Sequence, residues 1–169
     1  RNLDLRGISR SAYRLAVADA ESSCLKSGSF DLVYSYGVLH HTPRTDLALA
    51  EVWRLLTPGG TLKMMVYHVP SWTGWMLWII HGLCKGKPFQ SVKSILFRHL
   101  ESPGTKAYTV QEIRQLLTDS GFCNLSTRVF LGPSDLLNIP RRDKYQGGVY
   151  NLLVKLYPRL LIRWIGHRF

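Results

Sequence analysis

Apolar positions recur with two different periods along this chain, and the switches between them mark its elements. Phe30-Asp-Leu-Val-Tyr-Ser35 is short, apolar and rich in β-forming residues. It follows the turn residues Ser27-Gly28-Ser29 and ends at Gly37, which predicts a buried strand. After Thr42-Pro43, Leu47, Ala50, Val52, Leu55 and Leu56 recur near helical spacing, until Thr57-Pro58-Gly59-Gly60 stops the helix. Thr61–Tyr67 predicts a second buried strand. Strand, helix and strand in so short a stretch form a βαβ unit, which implies a parallel sheet with a right-handed crossover.

Upstream, Tyr13–Ala18 predicts another short strand of that sheet, preceded by the polar stretch Arg1–Arg10. Downstream, Thr109-Val-Gln-Glu112 has the capping-box spacing of Thr and Glu; Ile113, Leu116 and Leu117 share one helical face, and Gly121 falls just past its end. Phe122–Leu131 is a further strand candidate. The first three strands are expected to run parallel, with Asp19, Tyr36 and His68 near one edge.

Two segments interrupt this alternation. The Trp-rich and then basic run from Trp72 to Leu100 has helical character and reads as an insertion. A second runs from Gly132 through Arg141-Arg-Asp-Lys144 to an amphipathic helix around Val149–Ile165, which Pro158 must kink or split. The expected organisation is one α/β domain: residues 1–69 as core, 70–108 as a cap insertion, 109–131 returning to the core, and 132–169 as a second insertion with its basic helix.

A length of 169 residues with 46% hydrophobic content suits one globular core rather than two. Both ends, Arg1 and the apolar run closing at Phe169, read as cut. Charge changes the picture more. Residues 1–69 carry 8 Lys and Arg against 6 Asp and Glu, whereas residues 70–169 carry 14 against 5, so +9 of the net +11 lies in the second part. Such an excess suits an anionic acceptor, a membrane surface or nucleic acid, or else is solvated surface. The most apolar stretch, Trp72–Cys84, is broken by Thr73, Gly74, His81 and Gly82 and is too short to span a bilayer. Cys24, Cys84 and Cys123 are widely separated, and no CxxC or suitably spaced His completes a zinc site, so a reducing cytoplasm is the expected setting.

Ligands of a parallel α/β sheet sit at the carboxyl ends of its strands. That singles out Asp19-Ala20-Glu21, Tyr36-Gly37-Val38-Leu39-His40-His41 and Tyr67-His68. In order and spacing, Ala18-Asp-Ala-Glu21, Gly28-Ser-Phe-Asp-Leu-Val33, Gly37-Val-Leu-His-His-Thr-Pro43 and Glu51-Val-Trp-Arg-Leu-Leu-Thr-Pro-Gly-Gly60 resemble the class I methyltransferases of the large small-molecule and lipid group. The match covers residues 15–68 closely; Ser102-Pro-Gly-Thr-Lys-Ala-Tyr-Thr109 is a looser resemblance to one branch of that group.

The resemblance implies a Rossmann-like fold, S-adenosylmethionine as cofactor, and roles for particular residues. Asp19 would accept from the adenine amino group while the Ala20 amide donates to the ring; the alternative is a turn Asp capping a strand end. Tyr36, Gly37, Val38 and Leu39 would line the floor beside the sulfonium, or simply pack at a strand end. His40 and His41 would flank the methyl-transfer locus as candidate general bases, His40 slightly favoured, or else only bond the backbone. Methyl transfer is an in-line displacement that needs alignment and exclusion of water, and no triad or metal is expected.

The chain also departs from the pattern. It carries no GxGxxG-like loop with a following acid to hold the cofactor's methionine end and ribose, and Ser22-Ser-Cys24 is more polar than the usual Leu-Pro-Phe. A final family strand would follow Phe169. The cap segments, with Trp72, Trp75, Trp78 and Trp164 beside Lys85, Lys87, Arg141, Arg142 and Lys144, suggest a small-molecule or lipid-like acceptor with an anionic end, or peripheral docking at a membrane, unless they are only a hydrophobic cap. A competing reading is a non-catalytic basic module for a membrane surface or nucleic acid. Against nucleic acid, the Trp residues lie in an apolar run rather than among basic residues.

Overall fold

The computed structural model describes residues 5–132 together with 135, 152, 155–157, 160, 162 and 164. Strand β1 (Phe30–Tyr36), helix α1 (Thr45–Leu55) and strand β2 (Leu56–Met65) form the expected crossover, with β1 and β2 parallel. A one-turn 3-10 helix, Leu39–His41, lies between β1 and α1. β2 begins earlier than its apolar run suggests. Phe30 pairs with Leu56 and Leu32 with Thr61, so Thr57–Gly60 loops out as an irregularity inside the strand. The Thr57 hydroxyl bonds Asp31 across it at 3.0 Å.

Tyr67 does not end that strand. Strand β3 (Tyr67–His68) pairs in parallel with β4 (Ala107–Tyr108) in a second, two-stranded sheet. Two further expectations fail. Tyr13–Ala18 is not a strand: it finds no strand to pair with among the described residues, and Leu15 and Val17 are exposed. Phe122–Leu131 is not a strand either, because Asn124 adopts φ 53°, outside the extended region, and the Leu125 carbonyl accepts from Arg114 at 3.0 Å.

The first core lies where α1 covers one face of β1 and β2. Ala48 and Leu49 are fully buried there with Leu39, Val52 and Leu56, and Ala20, Val33, Leu62 and Phe122 pack around them. Helix α4 (Val110–Asp119) contributes Leu116 and Leu117 and starts with the expected capping box, in which Thr109 Oγ1 accepts from the Glu112 N–H and Glu112 Oε2 from the Thr109 N–H. On the other face of β1, Phe30, Leu32, Tyr34 and Tyr36 are exposed, so the strand is half-buried rather than buried on both faces.

The Trp72–Leu100 insertion folds as a helical hairpin, α2 (Trp72–His81) against α3 (Val92–His99), around a second core of Val69, Leu77, Ile95 and Leu96. Gly74 allows the close approach, since a Cβ there would lie 2.9 Å from Val92 Cγ1. The Trp78 indole donates to the Gln90 carbonyl at 2.8 Å and fastens the connection. No helix among the described residues is long and apolar enough to cross a membrane. The Arg141-Arg-Asp-Lys144 cluster and most of the Val149–Ile165 helix, Pro158 included, lie outside the described residues.

Candidate functional site

The carboxyl end of β1 turns sharply at Gly37, whose φ of 73° is one that residues with a Cβ rarely adopt. The Gly37 N–H donates to the Met65 carbonyl at 3.3 Å, which keeps the turn beside the end of β2. Tyr36 and Val38 are exposed around it. Leu39 is not: it is 4% exposed in the first core, and its carbonyl accepts from Thr42 Oγ1 at 2.9 Å and Thr45 Oγ1 at 3.2 Å. In this structure Leu39 is therefore a packing and turn-closing residue.

Asp19, Ala20 and Glu21 come to the same end. Asp19 Oδ1 accepts from the Glu21 N–H at 2.9 Å, an Asx-type turn. Ala20 packs on the cluster that contains Leu39. Glu21 Oε1 accepts from the Arg44 N–H at 2.7 Å, tying this loop to the start of α1. The polar Ser22-Ser-Cys24 segment is also accounted for. Glu51 Oε1 accepts from both the backbone N–H and the hydroxyl of Ser23, at 2.8 and 2.6 Å, and Arg54 reaches the Ser23 and Leu25 carbonyls.

His40 and His41 lie side by side, with ring centroids 4.2 Å apart. His40 is fully buried, edge-on to Tyr67 with centroids 4.7 Å apart, and neither ring nitrogen makes a well-formed hydrogen bond, the backbone of Met65 offering only a weak one. Burial, reinforced by the neighbouring His41, lowers its pKa to about 4, so the ring is neutral at pH 7. His41 is held at both nitrogens: Nε2 lies 3.2 Å from Glu101 Oε2 and Nδ1 3.2 Å from Thr105 Oγ1. A general base needs a free, accessible nitrogen of suitable basicity. His40 is buried with lowered basicity, and each nitrogen of His41 already faces a partner.

Sequence reasoning passed over Glu101 and Thr105, which arrive from beyond α3. The segment is fixed by the Lys106 N–H donating to the His40 carbonyl at 3.0 Å, by Lys106 Nζ donating to the Thr42 carbonyl, and by the Tyr108 hydroxyl donating to Thr45 at 3.0 Å. The Ser102–Thr109 motif was the one signal that pointed there. His68 sits in β3, its Nδ1 donating to the Tyr108 carbonyl at 3.2 Å. Beside this segment a cleft of about 410 Å³ is lined by Thr105, Lys106, Tyr108, Lys93 and Phe97. A smaller apolar groove of about 220 Å³ lies between Trp72, Trp75, Met76 and Ile79 of α2 and Leu156, Tyr157 and Ile162.

Known proteins resemble this chain in part of its sequence and in its fold. Residues 3–64 match a family model described as a methyltransferase domain. Uncharacterized methyltransferases of Mycobacterium bovis and Mycobacterium tuberculosis are each 38% identical over 77 residues, covering 41% of this chain. The chain in turn spans only 39% of the length of these relatives. A highly reducing polyketide synthase of Cordyceps militaris is 34% identical over 64 residues, 36% of this chain and 2% of its own. Among solved structures, a SAM-dependent methyltransferase of Thermotoga maritima, described as a possible histamine N-methyltransferase, superposes with a TM-score of 0.53 at 21% identity, over 78% of this chain and 58% of its own. Residues 3–64 are thus similar in sequence to a methyltransferase domain, and the chain shares the Rossmann-like α/β fold of a solved S-adenosylmethionine-dependent methyltransferase.

Proposed function

We propose that this chain supplies the adenine side and the acceptor side of an S-adenosylmethionine-dependent methyltransferase acting on a small-molecule or lipid-like acceptor. The observation that carries the reading is the joining of Asp19-Ala20-Glu21 to the Gly37 turn, through Ala20 packing and the Glu21–Arg44 bond, at the carboxyl end of a parallel βαβ unit. Asp19 uses one carboxylate oxygen to hold its own turn, and we assign the other to the adenine amino group, beside the Ala20 amide. Tyr36, Gly37 and Val38 line the approach to the sulfonium. The acceptor attacks the methyl carbon in line as the sulfur takes back the bonding pair, so the protein's share is alignment and exclusion of water. The apolar groove on α2 suits the body of a lipid-like acceptor, and the basic excess of residues 70–169 suits an anionic end.

The test uses a protein that joins this chain to a glycine-rich cofactor loop, titrated with S-adenosylmethionine by calorimetry. Asp19→Asn keeps the oxygen that holds the turn and replaces the other with an amide donor. It should weaken binding by about 1–3 kcal/mol, the cost of a lost buried hydrogen bond. Unchanged affinity would remove Asp19 from the cofactor site. Residues 1–169 alone, which carry no such loop, should bind weakly, and tight binding to them would overturn the assignment of the methionine end to that loop.

A further inference from the structure

We propose that His40, His41 and Glu101 form a binding site for a divalent metal ion of the zinc type, at the turn that follows β1. One potential ligand atom from each of the three lies within 4.8 Å of the others. Two independent features point to a cation there.

The first is the hydrogen-bond direction around His41. Thr105 is fully buried, and its hydroxyl donates its single proton to the Ser102 carbonyl at 2.8 Å. Towards His41 Nδ1, 3.2 Å away, Thr105 Oγ1 can therefore only accept, so Nδ1 carries the ring proton. In the neutral ring Nε2 then presents a lone pair to the Glu101 carboxylate, 3.2 Å away. Two electron pairs facing each other repel unless a positive charge lies between them. Two ligands of one tetrahedral zinc ion stand about 3.3 Å apart at ordinary zinc–ligand distances. Thr105 then acts as the outer partner that fixes tautomer and ring orientation in histidine metal sites.

The second feature is His40. It is fully buried, with neither nitrogen in a well-formed hydrogen bond, and one of them belongs to the same cluster. An imidazole buried without a well-formed hydrogen bond carries a desolvation cost that a metal bond at one nitrogen offsets. Glu101, on the exposed rim, supplies the mobile ligand that lets the three atoms close on an ion. Two imidazoles and one carboxylate suit zinc and its neighbours rather than magnesium or calcium, and leave coordination positions open to an oxygen ligand. That such an oxygen belongs to the methyl acceptor rests on the function proposed above; the metal site itself does not, and its test involves no methyl transfer.

The experiment is titration of the full chain with Zn²⁺ by calorimetry, and with Co²⁺ followed by visible absorption. One ion per chain is expected, with a nitrogen and oxygen spectrum free of sulfur-to-cobalt charge transfer. Glu101→Gln and His41→Gln should each weaken binding by about tenfold or more, and Thr105→Val, which removes only the orienting partner, by a similar or smaller factor. His40→Gln alters a buried position and can lose the fold, so the two exposed-side variants carry the decision. Cys24, Cys84 and Cys123 are exposed thiols, a ligand type that zinc favours, so the titration is repeated with all three changed to Ser. Binding that disappears in that variant, or that is indifferent to Glu101→Gln and His41→Gln, would overturn the proposal. So would failure to bind either ion, which would identify the His41–Glu101 contact as an imidazolium ion pair.

Discussion

Glu51 shows how one side chain positions the loop around Ser23. Its carboxylate receives the Ser23 N–H and hydroxyl on Oε1 and the Arg54 guanidinium on both oxygens, at 2.6–2.8 Å, and is nearly buried. The Arg54 hydrogen bonds first, and those of Ser23 next, hold its pKa down to about 2, against 4.5 for a free glutamate. A carboxylate whose folded pKa is depressed contributes stability that is complete above the unfolded pKa and is lost as pH falls through the folded one. Glu51→Gln should therefore destabilise the chain by about 1–3 kcal/mol at neutral pH, as hydrogen bonds to a charged group would suggest. In denaturant melts at a series of pH values, the gap between variant and parent should narrow from about pH 4.5 down towards pH 2. A gap independent of pH would show that the charge is not what Arg54 and Ser23 hold. Ser23 looks out of place in the sequence, in a segment where the resemblance implies an apolar wall, because its partner lies a helix away.

Elements are where the sequence was most legible and where its limits show. β1, α1 and the capping box of α4 follow from period and punctuation alone, because each depends on local spacing. Tyr13–Ala18 and Phe122–Leu131 look like strands by composition, but a strand is completed by its neighbour. One segment finds no partner among the described residues, and the other is broken by Asn124. The histidine turn was legible as the turn that follows β1, whereas Glu101 and Thr105 reach it only through tertiary folding. A single carboxylate or hydroxyl leaves no periodic trace. The helical hairpin was legible as helix, but its packing depends on Gly74, where an added Cβ would meet Val92 Cγ1 at 2.9 Å and Leu96 Cδ1 at 3.4 Å. Gly74→Ala gains about 1 kcal/mol of helix propensity and incurs about 1–3 kcal/mol of overpacking against α3. Since Val92 is β-branched and stiff, overpacking should win, with thermal unfolding showing a lower midpoint. A higher midpoint would mean that α3 gives way at little cost.

On the scale of the whole molecule, charge is divided as sharply as structure. The residues matched to the methyltransferase domain lie in a nearly balanced first part, while +9 of the net charge falls in residues 70–169 together with the apolar groove on α2. If the proposed acceptor is an amphipath with an anionic end, these two features act on it differently. Exposed charges more than about 8 Å apart are largely screened at physiological ionic strength, so the electrostatic share of binding should fall as salt rises. Apolar burial does not depend on screening in that way. Neutralising Arg141, Arg142 and Lys144 should therefore weaken co-sedimentation with anionic vesicles at low salt and flatten its salt dependence. Trp75→Ala, at a half-exposed position lining the groove, should weaken co-sedimentation to a similar degree at every salt concentration. Asp19→Asn should leave vesicle binding untouched, because it lies on the proposed cofactor side. Vesicle binding indifferent to both salt and the basic residues would make the excess a solvated surface, and the acceptor's anionic end would then have no support.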